Sequence, residues 1–212
     1  MEEDEALLRV PIFPLAGALL FPRAQLPLHI FEQRYRAMVR DALAGDRLIA
    51  MVQPKDGREP FSVFDIGCLG RIVGSEELED GRFNIVLEGL ARFRIACEAD
   101  VTTPYRQVDA DRAGFGDDAD PEPLASVQRA ELEREARRYA DALGYAVEWE
   151  AVGRLDDEML VNGIAQIAPL DVGSKQALLE AQDLSARADL LVQFMQFQRM
   201  VPGGPDGPET LQ

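Results

Sequence analysis

The side chains that could carry out chemistry in this sequence are few and scattered. His29 is the only histidine, and it lies among apolar neighbours in residues 27–31. Cys68 and Cys97 are the only cysteines. A catalytic triad with a histidine base would have to be built on His29, but no Gly-x-Ser-x-Gly turn supplies a nucleophile. A structural zinc site needs more cysteine or histidine ligands at closer spacing. The residue types therefore predict no catalytic group and no bound metal.

The sequence also predicts neither a nucleotide-binding site nor an acid–base catalytic pair. It contains no Gly-x-x-x-x-Gly-Lys-Ser/Thr loop, so it has no P-loop to hold a nucleotide phosphate. The neighbouring carboxylates Glu76 and Glu77 could act as acid and base in a desolvated site. Their polar neighbours instead predict a solvated turn. We expect a protein that is not an enzyme and requires no cofactor.

The formal net charge of -16 narrows the possible partners. Residues 114–212 alone hold 8 basic and 19 acidic side chains. Such a surface repels phosphate backbones and anionic lipids, so we expect neither nucleic-acid nor membrane binding. No apolar run approaches the roughly 20 residues of a spanning helix, and the acidic start of the chain does not resemble a secretory signal. Two isolated cysteines are typical of a reducing compartment, which predicts a cytoplasmic protein.

Hydrophobic patterning divides the chain into a β-rich half and a helical half. In the first half, short runs rich in β-branched and aromatic residues alternate with Gly, Pro and Asp. One helical stripe over 32–44 interrupts them. A tight hairpin is predicted at 79–82, where Asp80 is followed by Gly81. Several short strands with one helix favour a barrel or a strongly bent sheet. The predicted strands are 7–13, 26–30, 48–53, 61–73, 82–88, 91–98 and 105–110.

A polar stretch rich in Gly, Pro and Asp, residues 114–123, separates the two halves. It has little to bury and is predicted to be a linker. The first unit is then 1–113, the helical unit is 124–201, and 202–212 is predicted to be a disordered tail. Ser174 is expected to cap the third helix. The predicted helices cover 124–143, 156–167, 174–182 and 185–200.

Five segments, in this order along the chain, resemble one known family. They are Val10-Pro11-Ile12-Phe13-Pro14, Leu26-Pro27-Leu28-His29-Ile30-Phe31-Glu32-Gln33-Arg34-Tyr35, Asp65-Ile66-Gly67-Cys68-Leu69-Gly70, Gly89-Leu90-Ala91-Arg92-Phe93-Arg94 and Lys175-Gln176-Ala177-Leu178-Leu179-Glu180. Together the segments resemble a free-standing copy of the N-terminal substrate-binding domain of Lon-type ATP-dependent proteases. The resemblance covers roughly residues 7–200.

This resemblance implies a fold and a role. The fold is α+β, with a PUA-like β-barrel that includes one helix, followed by a C-terminal helical bundle. In Lon proteases this domain helps to select and hold protein substrates. The ATPase and Ser-Lys protease domains that follow it there have no counterpart in this sequence. Residues 54–57 are similar to the start of the segment that carries the catalytic serine of Lon, but no serine follows them here.

Two functional hypotheses follow. The first is a non-catalytic module that binds polypeptide clients or a partner protein, as part of protein quality control. Its site would be apolar surface between the barrel and the helical bundle. The alternative is an RNA-binding module that uses the PUA-like barrel and a local cluster of arginines, Arg34, Arg36, Arg40 and Arg47, although the net charge argues against it. The candidate peptide-binding residues are Leu19, Phe21, Phe31, Tyr35, Phe194 and Phe197.

Overall fold

The computed structural model describes residues 7–55, 62–117 and 119–200. In this part of the chain the fold is mixed α and β, and its internal contacts form two compact units. The first unit comprises Met1–Asp120 and Asp171–Glu180, and the second comprises Pro121–Leu170 and Ala181–Gln212. The predicted tail at 202–212 lies outside the described residues.

Six strands of the described chain form one sheet in the first unit, and one helix lies between the second and third strands. The elements are β1 (Leu8–Pro14), β2 (Gln25–Ile30), α1 (Gln33–Ala44), β3 (Leu48–Val52), β4 (Ile66–Glu77), β5 (Phe83–Glu98) and β6 (Gln107–Asp111). The pairing runs in the order β2-β5-β4-β3-β1-β6, and β6 also pairs with the end of β5. The β1–β3 pair is parallel, whereas the other named pairs are antiparallel.

The long strand β5 corrects the prediction of two strands at 82–88 and 91–98. It is continuous, but its register with β4 shifts where Leu69 faces Ala91 and Gly70 faces Gly89. Leu90 is therefore the extra residue of a bulge, which bends a strand without ending it. Before the bulge β5 pairs with β2, and after it β5 pairs with β6. The predicted hairpin at 79–82 is confirmed, because the Gly81 N–H donates to the Leu78 carbonyl at 2.8 Å.

Apolar side chains from alternate positions of these strands form a buried core. Glycines allow elements to approach closely around it: a Cβ on Gly67 would lie 2.8 Å from the Phe93 ring, and one on Gly70 would lie 2.8 Å from Leu20. The buried cluster comprises Val10, Ile12, Ala50, Val52, Val63, Leu69, Phe93, Val108 and Ala110.

Helix α5 (Val172–Glu180) belongs to the first unit, whereas the sequence predicts it within the helical one. Long-range hydrogen bonds explain its place. The Gln176 amide donates to the Ile66 carbonyl at 3.0 Å, and its oxygen accepts from Gln53 at 3.2 Å. The Lys175 ammonium donates to the Gly17 carbonyl at 2.7 Å, and its burial lowers its pKa. The Lys-Gln motif of this helix therefore anchors it to the first unit.

The start of α5 also differs from the prediction that Ser174 caps it. The capping carboxylate is that of Asp171, which accepts a hydrogen bond from the Ser174 backbone N–H at 2.9 Å. The Ser174 hydroxyl donates to the same carboxylate at 2.5 Å. The hydroxyl and the backbone N–H of Ser174 hold the pKa of Asp171 below its ordinary value. A carboxylate at this position also interacts favourably with the helix dipole.

The second unit consists of helices. Its longest elements, α2 (Ser126–Leu143) and α6 (Leu184–Met200), pack against each other, and α4 (Asp157–Ile167) packs on α6. The buried Glu135 of α2 accepts a hydrogen bond from Arg199 of α6 at 2.7 Å, so charge as well as apolar packing joins this pair. The short helix α3 is absent from the sequence prediction. The elements are α2 (Ser126–Leu143), α3 (Trp149–Val152), α4 (Asp157–Ile167) and α6 (Leu184–Met200).

The segment after β6 is anchored to the sheet, although the sequence predicts that it has little to bury. The Asp117 side chain is 9% exposed and pairs with Arg92 at 2.9 Å. The Phe115 carbonyl accepts a further hydrogen bond from the Arg92 guanidinium at 3.1 Å. The Asp117 carbonyl accepts one from Arg23 at 2.7 Å. The part of the predicted linker up to Asp117 is thus fixed to the first unit.

Tyr105 gives the fold a measurable dependence on alkaline pH. Its hydroxyl donates to the Asp41 carboxylate at 2.7 Å, and burial followed by this hydrogen bond raises the Tyr105 pKa to about 12. The neutral phenol is favoured in the folded state, so its stabilising effect is complete below about pH 10 and is lost as the pH rises toward 12. We expect wild type to lose about 2 kcal/mol more than Tyr105→Phe over this interval. Urea unfolding of both proteins measures the difference, and parallel pH profiles would contradict it.

Candidate functional site

The strand β2 lies at an edge of the sheet and pairs only with β5 in the part of the chain that the structure describes. The Gly89 N–H donates to the Ala24 carbonyl at 2.9 Å, which places Ala24 and Gly89 in a hydrogen-bonded position of the ladder. Bonded and non-bonded positions alternate along an antiparallel pair. Leu26, Leu28 and Ile30 therefore bond to β5. The backbone groups of Pro27 and His29 point to the open edge.

The side chains on the outer face of this edge form a row. Pro27 and His29 are exposed, and Phe31, two residues further on, is 62% exposed. The rings of His29 and Phe31 stack with their centroids 6.4 Å apart. These three side chains form an apolar and aromatic strip beside the outward-facing backbone groups of β2. We call Pro27, His29 and Phe31 the β2 row.

A groove of about 540 Å³ lies beside the β2 row, across β2, β5 and β4. Val86 supplies an apolar wall opposite Pro27, and Gly74 leaves space next to it. A Cβ built on Gly74 would be 3.7 Å from the nearest Val86 atom, so the missing side chain deepens the groove. The groove can therefore accept an apolar side chain of a ligand.

Hydrogen bonds hold the His29 ring against β5. Its Nδ1 lies 2.8 Å from the Asn84 amide oxygen, and the Arg82 guanidinium lies 3.3 Å from its Nε2. The Asn84 amide donates in turn to Glu76 at 3.0 Å. These contacts fit a ring that carries its proton on Nδ1 and accepts from Arg82 on Nε2. Both nitrogens are occupied within the protein, so the arrangement orients His29 and does not prepare it to move a proton.

The candidate residues from the sequence fall into two groups in the structure. Leu19, Phe21 and Tyr35 are buried in the core of the first unit, and the Tyr35 ring packs on Phe13 with centroids 4.4 Å apart. The expectation that these three side chains offer a surface is therefore wrong. Phe31 is exposed in the first unit. In the second unit Phe194 is half-buried, and Phe197 is 66% exposed.

Pro27, His29 and Val86 are missing from the sequence-based candidates. Their signal is nevertheless present, because Gln25, Pro27 and His29 alternate with Leu26, Leu28 and Ile30. Proline cannot donate to a ladder and is confined to edge strands or strand ends. A proline at a polar position of an alternating strand thus indicates an open edge.

Three of the four arginines behind the RNA alternative make side-chain contacts within the protein. Arg34 pairs with Glu32 at 2.9 Å, and Arg40 pairs with Glu77 at 2.9 Å. Arg36 donates to the Asp80 carbonyl at 3.1 Å. These three guanidinium groups therefore have acceptors within the chain itself, and nothing in their arrangement favours the RNA alternative.

No group of three or more His, Cys, Asp or Glu side chains in residues 7–55, 62–117 and 119–200 is placed to hold a metal ion. None of the helices described is both long enough and apolar enough to span a bilayer.

Comparison with known proteins identifies the family. Residues 9–196 match the family described as the substrate-binding domain of ATP-dependent protease La (LON). The chain belongs to the Lon substrate-binding domain family. The matched region is the substrate-binding domain of Lon and not its protease domain.

Two curated Lon proteases and two solved Lon domains illustrate the similarity. Lon protease 2 of Sorangium cellulosum is 30% identical over 201 residues, which cover 86% of this chain and 24% of the relative. Lon protease 2 of Myxococcus xanthus is 28% identical, with 91% and 24% covered. The chain thus spans about a quarter of the length of these Lon relatives. The N-terminal domain of the Mycobacterium avium complex Lon protease superposes with a TM-score of 0.64 at 19% identity, over 89% of this chain and 98% of that one.

The Lon N-terminal domain protein from Xanthomonas campestris gives the same TM-score of 0.64 at 22% identity, over 89% of this chain and 99% of that one. At such identities the superpositions establish the shared Lon N-terminal domain fold. The five segments that resemble Lon in the sequence all overlap the matched region, so the resemblance is confirmed.

Proposed function

We propose that this chain is a non-catalytic module that binds unfolded or extended polypeptides in protein quality control. The observation that carries the proposal is the match of residues 9–196 to the substrate-binding domain of Lon. We further propose that the sheet is a PUA-like barrel, which the pairing of β6 with both β1 and β5 supports. A cytoplasmic location agrees with Cys68 and Cys97, which form no disulfide.

The physical requirements of such a ligand support the β2 row as the contact surface. An unfolded segment presents apolar side chains and unpaired backbone groups, so its receptor needs apolar contacts together with backbone partners. Phe31 and the groove beside Val86 offer the apolar contacts, and the open edge of β2 offers the backbone partners. The net charge of -16 favours segments that are neutral or basic over acidic ones and over RNA.

Replacing Phe31 with serine tests the proposal. An exposed aromatic anchor typically contributes about 2 kcal/mol, so we expect Phe31→Ser to weaken capture of a reduced and alkylated protein by roughly 30-fold. The melting temperature should stay close to that of wild type, because the ring is 62% exposed. Fluorescence anisotropy with a labelled unfolded protein measures the affinity.

The comparison variant is Phe197→Ser, since that ring is 66% exposed and lies in the second unit. It should bind like wild type. If Phe197→Ser weakens capture and Phe31→Ser does not, the contact surface lies on the helices and not on β2. A wild-type protein that captures no unfolded protein, or that prefers RNA of similar length, would refute the proposed function itself.

A further inference from the structure

We propose that an extended polypeptide segment docks on the open edge of β2 as an additional strand, held by the backbone of Pro27 and His29. This inference rests on the proposed function, since it states how the polypeptide is recognised. It assigns recognition mainly to the main chain of the ligand, with the β2 row and the groove contributing side-chain contacts.

The outward-facing backbone groups of β2 are available to pair with another strand. The bond from Gly89 to Ala24 fixes which β2 residues face β5, and alternation turns the His29 N–H and carbonyl and the Pro27 carbonyl outward. Another strand can pair with these groups at the usual spacing of about 4.8 Å. An extended chain is the ligand whose own groups repeat at the matching interval.

Pro27 sets the register of the added strand. Its ring nitrogen faces the open edge but carries no hydrogen, so Pro27 can accept from a ligand and cannot donate to it. His29 offers both a donor and an acceptor. A ligand therefore forms its complete pair of hydrogen bonds opposite His29. The same proline limits continuous pairing along β2, which protects the free protein from edge-to-edge association.

The surroundings of the edge select the side chains of the ligand. Side chains of an added strand that point to the outer face would lie beside Pro27, His29 and Phe31, where an apolar or β-branched residue packs well. Glu76 and Glu88 on that face are accompanied by Arg71, in register with Glu88, and by Arg82, which contacts His29. The local charge is therefore nearly balanced, and the preference against acidic segments comes from the net charge of -16. The preferred segment is therefore β-branched and basic, with few acidic residues.

The probe for this inference is a short labelled peptide of alternating valine and threonine with a lysine at each end. Two further versions carry N-methyl groups on alternate residues, in one phase or the other. Methylation removes the N–H and blocks close approach of a strand. We expect one phase to weaken binding by roughly tenfold or more, while the other phase binds nearly like the parent peptide.

Variants of the protein separate backbone recognition from side-chain recognition. Pro27→Ala supplies the missing N–H and should tighten binding by roughly threefold. His29→Ala keeps the backbone groups but removes one ring of the β2 row, so it should weaken binding less than the effective methylation phase does. Both positions are exposed, and melting curves confirm that the variants are folded.

The outcomes distinguish this inference from the proposed function. Equal effects of the two methylation phases, or unchanged affinity in Pro27→Ala, would overturn strand addition even if unfolded protein is still captured through Phe31. Dimers of the free protein that disappear when β2 is altered would also overturn it, because a second copy would then occupy the edge. If neither the peptide nor unfolded protein binds, both proposals fail.

Discussion

Replacement of Arg92 with methionine is expected to lower the free energy of unfolding by about 3–5 kcal/mol. The Arg92 and Asp117 side chains are only 5% and 9% exposed, and the guanidinium lies 2.9 Å from the carboxylate. The Asp117 carboxylate also accepts from the Arg92 backbone N–H at 2.7 Å. Methionine fills a similar volume but leaves Asp117 as a buried charge without its cation. Two carbonyls, of Phe115 and Leu179, lose a donor as well.

The matched control is Arg9→Met, in a pair whose arginine is 56% exposed. Arg9 also makes two hydrogen bonds to one carboxylate, that of Asp109, at 2.8 and 2.9 Å. Water screens this exposed pair, so its loss should hardly move the unfolding midpoint. Urea unfolding of the two variants measures the contrast. Similar midpoint shifts in the two variants would show that the buried Arg92 pair contributes no more to folding stability than the exposed Arg9 pair.

A double variant tests whether the loss of stability comes from leaving one buried charge unpaired. In Arg92→Met combined with Asp117→Asn, neither charge is left buried alone. We therefore expect the double variant to lose less stability than the sum of the two single variants. The missing bonds to Phe115 and Leu179 remain a cost of Arg92→Met in either background. Additive losses would indicate that the two side chains act independently.

Local patterns in the sequence predict most elements of this fold. Alternating apolar residues predict β1, β2 and β3 to within about two residues, and the Asp80-Gly81 dipeptide predicts the turn between β4 and β5. These features depend on residues that are close together in the chain. The family resemblance is predictable for the same reason, because it depends on short segments in a fixed order.

The position of α5 and the burial of Phe21 could not be predicted in this way. Helical periodicity identifies 174–182 as a helix but does not show that Gln176 bonds to Gln53 and Ile66. Phe21 lies between strands, where a sequence pattern predicts a turn with partly exposed side chains. The side chain is fully buried, and the backbone packs closely against Gly89, far along the chain.

The candidate site could be predicted only in part. Phe31 is correctly expected at the surface, but its neighbours in the β2 row are defined by which edge of β2 remains open. That depends on the pairing of β5 with β2, β4 and β6, which no local pattern specifies. Pro27 was the available clue, because a proline in an alternating strand indicates an edge.

Substitution of Gly89 with alanine is expected to destabilise the first unit by about 3 kcal/mol or more, as overpacking of a tight core does. A Cβ at this position would overlap the Phe21 carbonyl oxygen and would lie 2.7 Å from its carbonyl carbon. The backbone cannot move away freely, because Arg23 donates to the Gly89 carbonyl at 2.8 Å and Gly89 donates to Ala24 at 2.9 Å. The obstacle is backbone, so no change of rotamer relieves it.

Gly74→Ala in the neighbouring strand β4 is the matched control for this prediction. Its added Cβ would meet nothing closer than Val86 at 3.7 Å, which is ordinary van der Waals contact. Alanine also loses less conformational entropy on folding than glycine, so this variant should be as stable as wild type or slightly more stable. Thermal and urea unfolding of the two variants measure the difference. Equal midpoints would show that the Phe21 segment yields to a methyl group. In that case the hydrogen bond from Gly89 to Ala24, which determines that the backbone groups of Pro27 and His29 face the open edge, would not hold this arrangement rigidly.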